Sequence, residues 1–375
     1  MANIAFGTQK ISAQNLQNIQ ALKEAITSGV TLIESSSEYF DGTSNKAIAI
    51  AFRELDSSLI ENVEIVNKFT YTEKEGINKQ LKQVLDELGI STLDCFVVHQ
   101  IEYYLIDALS KKVSKDERLD GMNKIIYKVF FELEKAVQEG KIKSYGISSE
   151  HFAHPQTLET FLPYEDLIAV ADIAAKEVGN KKNSLSTIEL PINILEKEGL
   201  NCASWAKENG LRVLVTRPLT AQIQGKFYRL ASYDESSEYY HHLNELLELC
   251  DNEILQPLYN FIDELDNSKH KFGWIEDYEQ FLYHQAMPHI ASALKNLDEK
   301  HQETMINYID MYLAEYKKMV AYECSVKTRN ELQMFFKECL TTLQKCAVDF
   351  LQKQENIDFI VVGMRKPLYV SELVG

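Results

Sequence analysis

The stretch GINKQLKQVLDELGISTLDCFVVHQ, residues 76–100, changes its hydrophobic period part-way along. Ile77, Leu81, Val84, Leu85 and Leu88 recur at helical spacing, and Gly89 stands where that helix would end. Leu93 to Val98 is then a short apolar run that stops at His99. A buried strand fed by an amphipathic helix, with a polar residue at the strand's end, is one unit of a parallel sheet covered on both faces.

The same unit recurs on either side. Upstream, Asn3 to Gly7 reads as a first strand. A helix follows, with Ser12 as N-cap, Leu16, Ile19, Leu22 and Ile26 on its face, and Gly29 after it. Thr31 to Ile33 is strand two. The next helix has Ser44 as N-cap and Ala47, Ile48, Ala51, Phe52 and Leu55 inside, and Val63 to Phe69 is strand three. Downstream, Val129, Phe130, Leu133 and Val137 form a helical face closed by Gly140. Strands five, six and seven are Lys143 to Ser148, Ser186 to Ile192 and Leu211 to Thr216. Strand eight is Asp358 to Val362, with a short last helix to Gly375. Eight strand–helix units close naturally into a (β/α)8 TIM barrel, which needs roughly 250 residues. An open doubly wound sheet is the rival, but no GxGxxG turn follows the first strand.

Between strand seven and the last helix–strand unit the alternation stops. Residues 221–324 read as long amphipathic helices, with runs such as Leu243, Leu246, Leu247, Leu249 and Leu255, Leu258, Phe261, Ile262, Leu265. The expected organisation is a barrel from residues 1–220 and 325–375, interrupted by a helical insertion over 221–324.

A formal net charge of −17 disfavours nucleic acid and anionic membrane as partners, since both need a basic surface. No apolar run approaches a membrane span, and MANIAFGTQK lacks the pattern of a secretory leader. The six cysteines form no CxxC pair and read as small buried thiols, so a cytoplasmic location is expected.

Active sites of such barrels lie at the C-terminal ends of the strands. There the sequence places Glu34 and Tyr39 at the end of strand two, Lys68 at the end of strand three and His99 at the end of strand four. Carbonyl reduction uses this equipment. A phenol can hand over a proton, a lysine cation beside it favours the tyrosinate, a carboxylate fixes the lysine, and a histidine donor orients the carbonyl oxygen.

The motifs resemble those of the aldo-keto reductase family over most of the chain. Ile33-Glu34-Ser35-Ser36-Ser37-Glu38-Tyr39 is similar to the family's FDTAxxY, residues 76–100 to its LGxxxxD turn and strand ending in His, and EKAVQEGKIKSYGISS to its GKxRxxGxSN. IELPIN, RVLVTRPL and DFIVVGMRKPLYVSEL match its sixth, seventh and eighth strands in order. The resemblance implies NADP (NADPH) as cofactor and a small-molecule carbonyl or alcohol as substrate. It implies that Ser148, Ser149 and Glu189 face the nicotinamide carboxamide, that Arg217 lies in the cofactor site, and that Gly363, Arg365 and Lys366 meet the adenosine phosphate. The chain departs from the family pattern at Glu34 (Asp), Ser149 (Asn), Glu189 (Gln), Thr216 (an aromatic) and Leu373 (Asn). The alternative is therefore a catalytically impaired cofactor-binding or interaction protein that works through its insertion, where a protein partner would dock.

The insertion carries Tyr239, Tyr240, Tyr259, Trp274, Tyr278, Phe281 and Tyr283, read as a helical cap packing on itself. No metal is expected there. His284 and His289 have the wrong spacing, His241 and His242 are adjacent and would diverge on a helix, and Glu238 with His241 makes only a single ExxH.

Overall fold

A computed structural model describes residues 1–72 and 75–374. They fall into two compact units, Met1–Pro218 with Ala347–Gly375, and Leu219–Cys346. The second unit runs on past the expected limit at residue 324, because the helix Glu299–Glu331 continues unbroken through that point.

In the first unit eight parallel strands close into a barrel: β1 (Asn3–Gly7), β2 (Leu32–Ser36), β3 (Glu64–Thr70), β4 (Leu93–His99), β5 (Ile142–Ser148), β6 (Leu185–Pro191), β7 (Arg212–Thr216) and β10 (Phe359–Val362). Around the barrel the order is β1-β10-β7-β6-β5-β4-β3-β2. This is the (β/α)8 TIM barrel expected. Boundaries moved by one to three residues, most at β2, which runs on to Ser36 and so brings Glu34 inside the strand.

Register explains how charged groups reach the barrel mouth. Leu32, Val66 and Val97 belong to one buried apolar cluster of the barrel strands, with Ala5, Cys95, Leu214 and Val361. Side chains alternate faces along a strand, so two residues further on the same face returns as Glu34, Lys68 and His99. Pairing of Thr70 with His99, His99 with Ser148, and Ser148 with Glu189 carries this level around to β6.

Two caps differ from expectation. The first helix, Leu16–Thr27, is capped by Asn15, whose side chain accepts from the Gln17 and Asn18 amides, and not by Ser12. The helix Thr43–Glu54 has Gly42 before it, and Ser44 Oγ instead donates to the carbonyls of Thr8 and Ile11. Gly89 does end the helix Ile77–Leu88, in the left-handed conformation (φ 71°) that glycine adopts without strain. The last helix is Pro367–Leu373; Gly375 lies outside the described residues.

The second unit opens with a hairpin where helix was expected: β8 (Thr220–Ile223) pairs antiparallel with β9 (Lys226–Arg229). Gln224 and Gly225 both have positive φ (51° and 80°), the two-residue turn that matches strand twist. Helices follow at Tyr239–Cys250, Gln256–Ser268, Ile275–Phe281, Met287–Leu294 and Glu299–Glu331. They share a core of their own that includes Leu243, Leu246, Leu258, Ile262, Tyr312 and Tyr316. Tyr239 and Tyr278 are buried in it, whereas Tyr240 and Tyr283 are exposed. Residues 332–340 are mostly turns, and helix resumes at Leu343–Gln352.

One cysteine expectation fails. Cys339 and Cys346 form a disulfide, their Cα atoms 5.9 Å apart and within bridging range. Cys95, Cys202, Cys250 and Cys324 are the buried thiols foreseen. Among the described residues no helix is long and apolar enough to cross a membrane.

Candidate active site

Glu34 sits on β2, and the chain leaves that strand through a tight turn that brings Tyr39 back over it. The Tyr39 hydroxyl donates to Glu34 Oε1 at 2.9 Å. The same oxygen lies 2.9 Å from Lys68 Nζ, on β3. Lys68 Nζ is also 2.8 Å from Glu189 Oε1, across the barrel on β6. Ser148 Oγ, on β5, donates to that oxygen at 2.8 Å, and His99 Nδ1, on β4, lies 3.3 Å from Ser148 Oγ. Six side chains from five strands and one turn thus make one continuous polar chain. Glu34, Lys68 and Glu189 in it are buried, while Tyr39 and His99 are partly open.

The backbone around the chain is strained. Phe40, Asp41, Gln100 and Arg217 are non-glycine residues with φ between 48° and 59°. They follow Tyr39, His99 and Thr216 directly, at the C-terminal ends of β2, β4 and β7. Such conformations cost about 1–3 kcal/mol each and gather at functional sites.

Behind β2 and β3 a second buried network fixes the strands that carry Glu34 and Lys68. Ser35 Oγ donates to Asn45 Oδ1 at 2.7 Å, and Asn67 Nδ2 to the same oxygen at 2.8 Å. Asn45 Nδ2 in turn donates to Glu87 Oε2 at 2.7 Å. The sequence reading missed Asn45, Asn67 and Glu87. A polar residue at an inward helix position, Asn45, between two strands with polar outward residues was the available signal.

The electrostatics differ from the expected arrangement. One lysine was to pair with Glu34 and draw down the tyrosine. Instead Lys68 is shared between two carboxylates. Burial pulls Lys68 down, but Glu189 and Glu34 more than offset this and hold it well above its usual range. Burial raises Glu34, opposed by Lys68 and reinforced by Glu189. Burial and then Glu34 push Tyr39 far above the ordinary phenol, and Lys68 does not compensate. Tyr39 is accordingly a phenol at any physiological pH. Burial, helped by Lys68, lowers His99 to about 4, so its ring is neutral.

The hydrogen-bond directions assign the His99 tautomer. Ser148 has one hydroxyl hydrogen, and it goes to Glu189. The Nδ1 contact then needs the hydrogen on His99, which leaves Nε2 as an acceptor. The expected role of His99 as a donor to a carbonyl is thereby reversed in this arrangement.

The residues expected at the cofactor separate into three groups. Ser148 and Glu189 join the polar chain, and Glu189 keeps one oxygen, Oε2, buried without a hydrogen-bond partner. Ser149 and Arg217 are engaged elsewhere: Ser149 Oγ accepts from the His151 amide, and Arg217 binds both oxygens of Glu196 at 2.6 and 2.8 Å and reaches Glu150 at 3.4 Å. Gly363, Arg365 and Lys366 form the exposed turn after β10, tied to the first helix by Asn18 Nδ2 donating to the Arg365 carbonyl at 2.9 Å. The side chains of Arg365 and Lys366 make no ion pair with any described residue.

A family model, the aldo/keto reductase family, matches residues 3–375. The chain belongs to the aldo/keto reductase family. No curated protein matches its sequence. Among solved structures it is similar to the glycerol dehydrogenase of Gluconobacter oxydans, with 17% identity, TM-score 0.51, and 99% of this chain and 85% of that one covered. It is also similar to two aldo-keto reductases of Klebsiella pneumoniae. One is in complex with NADPH (19% identity, TM-score 0.37, 58% of this chain covered) and one with NADP and acetate (13% identity, TM-score 0.46, 99% and 84% covered). The chain spans 63% of the length of the NADPH complex. At 17% identity the likeness to the glycerol dehydrogenase is one of fold, which is the barrel of this aldo/keto reductase.

Proposed function

We propose that this aldo/keto reductase is an NADP(H)-dependent oxidoreductase that interconverts a carbonyl and an alcohol on a small molecule, with Tyr39 as the proton-transferring group. The observation that carries the reading is the unbroken contact chain from Tyr39 through Glu34, Lys68, Glu189 and Ser148 to His99 at the barrel mouth.

The residues present fit the cofactor in part. Glu189 Oε2 is a buried acceptor in want of a donor, which an amide NH₂ such as that of nicotinamide supplies. Arg365 and Lys366 are exposed, with no ion-pair partner among the described residues, at the turn where a phosphate would be held. Thr216 offers no aromatic platform, so ring stacking is not part of the grip. The nicotinamide group, when bound, supplies or accepts the hydride.

The protein's own part is the proton. Tyr39 keeps its hydrogen at neutral pH and can give it to an oxygen that gains negative charge. A proton from solvent then replaces the one lost, and Glu34, the hydrogen-bond partner of Tyr39 whose pKa burial raises, is the group placed to relay it. In the reverse direction an alcohol hydrogen passes to Tyr39 as the phenol hydrogen moves to Glu34. Lys68 stays charged throughout and keeps Glu34 in reach. His99 Nε2, as acceptor, holds a hydroxyl and so favours an alcohol as the bound partner.

The test is Tyr39→Phe measured on two readouts. NADPH binding, followed by quenching of its fluorescence, is expected to be unchanged. Turnover on an aldehyde, sugar or polyol panel should fall by about 10²-fold or more. A Tyr39→Phe protein as active as the parent removes Tyr39 from the chemistry. Parent protein that binds NADPH with no turnover on the panel supports instead the cofactor-binding reading, which Glu189 at the lysine and Thr216 at the platform favour.

A further inference from the structure

The histidine pair His241 and His242 was expected to point apart on its helix. Instead both rings turn to the same carboxylate oxygen. His241 Nε2 lies 3.5 Å and His242 Nδ1 3.4 Å from Glu245 Oε2, and the three ligand atoms are within 4.8 Å of one another. All three sit on the first two turns of Tyr239–Cys250, so one helix holds the whole arrangement.

These contacts are poor hydrogen bonds. An N–H···O bond prefers about 2.9 Å, and a charge-assisted one is shorter still. His242 Nδ1 is buried and has no hydrogen-bond partner despite its nearness to the carboxylate. The separations do suit another purpose. Ligand bonds of about 2.1 Å to a tetrahedral Zn²⁺-type ion place neighbouring donor atoms about 3.4 Å apart. We propose that His241, His242 and Glu245 form a binding site for a divalent transition-metal ion of the zinc class, with water completing its shell. Two imidazoles and a carboxylate select zinc, cobalt or nickel over the hard cations calcium and magnesium, which prefer all-oxygen shells.

The surroundings are consistent with a cation. Glu315, on the helix Glu299–Glu331, is a further carboxylate near His242. Its oxygens are committed to Lys318 and Ser236, so it acts as a nearby negative charge and not as a fourth ligand. The site lies wholly within the second unit and needs nothing from the barrel.

The full-length protein, stripped with chelator and dialysed at neutral pH, is titrated with Zn²⁺ by calorimetry and with Co²⁺ by visible absorption. One equivalent is expected to bind, with the visible bands of a low-coordinate Co²⁺. His242→Ala and Glu245→Gln should each weaken binding by at least about tenfold. His241→Asn should do the same without risk to the fold, because its side chain is 60% exposed. His151→Gln is the control, since His151 and His154 stack 4.3 Å apart in the other unit and are the rival pair; it should bind as the parent does. No stoichiometric uptake, or equal uptake by the His241, His242 and Glu245 variants, overturns the proposal. So does loss of binding in His151→Gln alone.

Discussion

Replacing Lys68 by Met removes one charge and keeps the length of the buried stem, which makes it the sharpest probe of the barrel mouth. In the parent, Lys68 Nζ stands between Glu34 Oε1 and Glu189 Oε1 at 2.9 and 2.8 Å. Laid end to end, these contacts put the two carboxylate oxygens no more than about 5.7 Å apart. At an effective dielectric of about 20, two bare negative charges at that distance repel by about 3 kcal/mol. Breaking a buried ion pair from one side typically costs about 3–5 kcal/mol, a large part of the roughly 5–15 kcal/mol that stabilises a domain. The variant has a way out: one carboxyl takes up a proton. Its folded-state pKa then stands above the unfolded value, so the relief is complete below the unfolded pKa and is lost as pH rises through the folded one. Lys68→Met should therefore lose about 3–5 kcal/mol at pH 8, and recover toward the parent on acidification by up to about 1.4 kcal/mol per pH unit. The assay is urea unfolding at several pH values in a Trp274→Phe background, which leaves Trp205 of the barrel as the sole indole. A loss below about 1 kcal/mol with no added pH slope refutes the shared-lysine arrangement.

Further outcomes follow from the geometry. His99 is lowered to about 4, so the unfolded chain binds a proton there before the native one does; stability should rise with pH from about 4 to about 6.5, and His99→Gln should flatten that limb. ¹⁵N NMR of the same ring should show the Nδ1–H tautomer, and an Nε2–H signal would contradict the acceptor role. Denatured, unreduced protein should show four free thiols and reduced protein all six. The loop that Cys339 and Cys346 close is short, and Cys346→Ser should cost the second unit about 2.5 kcal/mol by the chain-entropy relation; six thiols without reductant would disprove the bridge.

The barrel was legible because its signal is repetitive. Each strand is a short apolar run and each helix a 3.6-residue pattern, so errors of one or two residues at Thr31 or Leu211 did not disturb the count. The site was legible in part. Glu34, Tyr39, Lys68 and His99 lie at the ends of successive strands, and a parallel barrel sends the ends of all its strands to one face. What the sequence hid was the partner across the barrel. Glu189 reads as a substituted cofactor ligand, and only closure of the sheet brings β6 opposite β3 to place it on Lys68. Ser149 and Arg217, expected at the cofactor, have near partners that the sequence reading did not weigh. Local partners, the His151 amide and Glu196, captured them first, and nearby groups compete best because they lose little entropy in meeting. The β8–β9 hairpin was passed over because a four-residue strand carries little periodicity, although Gln-Gly at its turn was a usable cue. His242 and Glu245 are three residues apart, and His241 and Glu245 four, spacings that put side chains together on a helix. The sequence reading set His241 against His242 and Glu238 and left Glu245 out.

The strand that closes the barrel is made last. β10 bonds to both β1 and β7, yet 140 residues separate it from Pro218 along the chain. At about 5–20 residues per second, a ribosome needs roughly 7–28 s to bridge that gap. During it, seven strands wait with the backbone donors and acceptors of two edges unmatched, open to any strand that finds them. A nascent chain of this design is thus exposed to wrong pairing for far longer than an uninterrupted barrel, and a message truncated before Phe359 yields a sheet that can never seal.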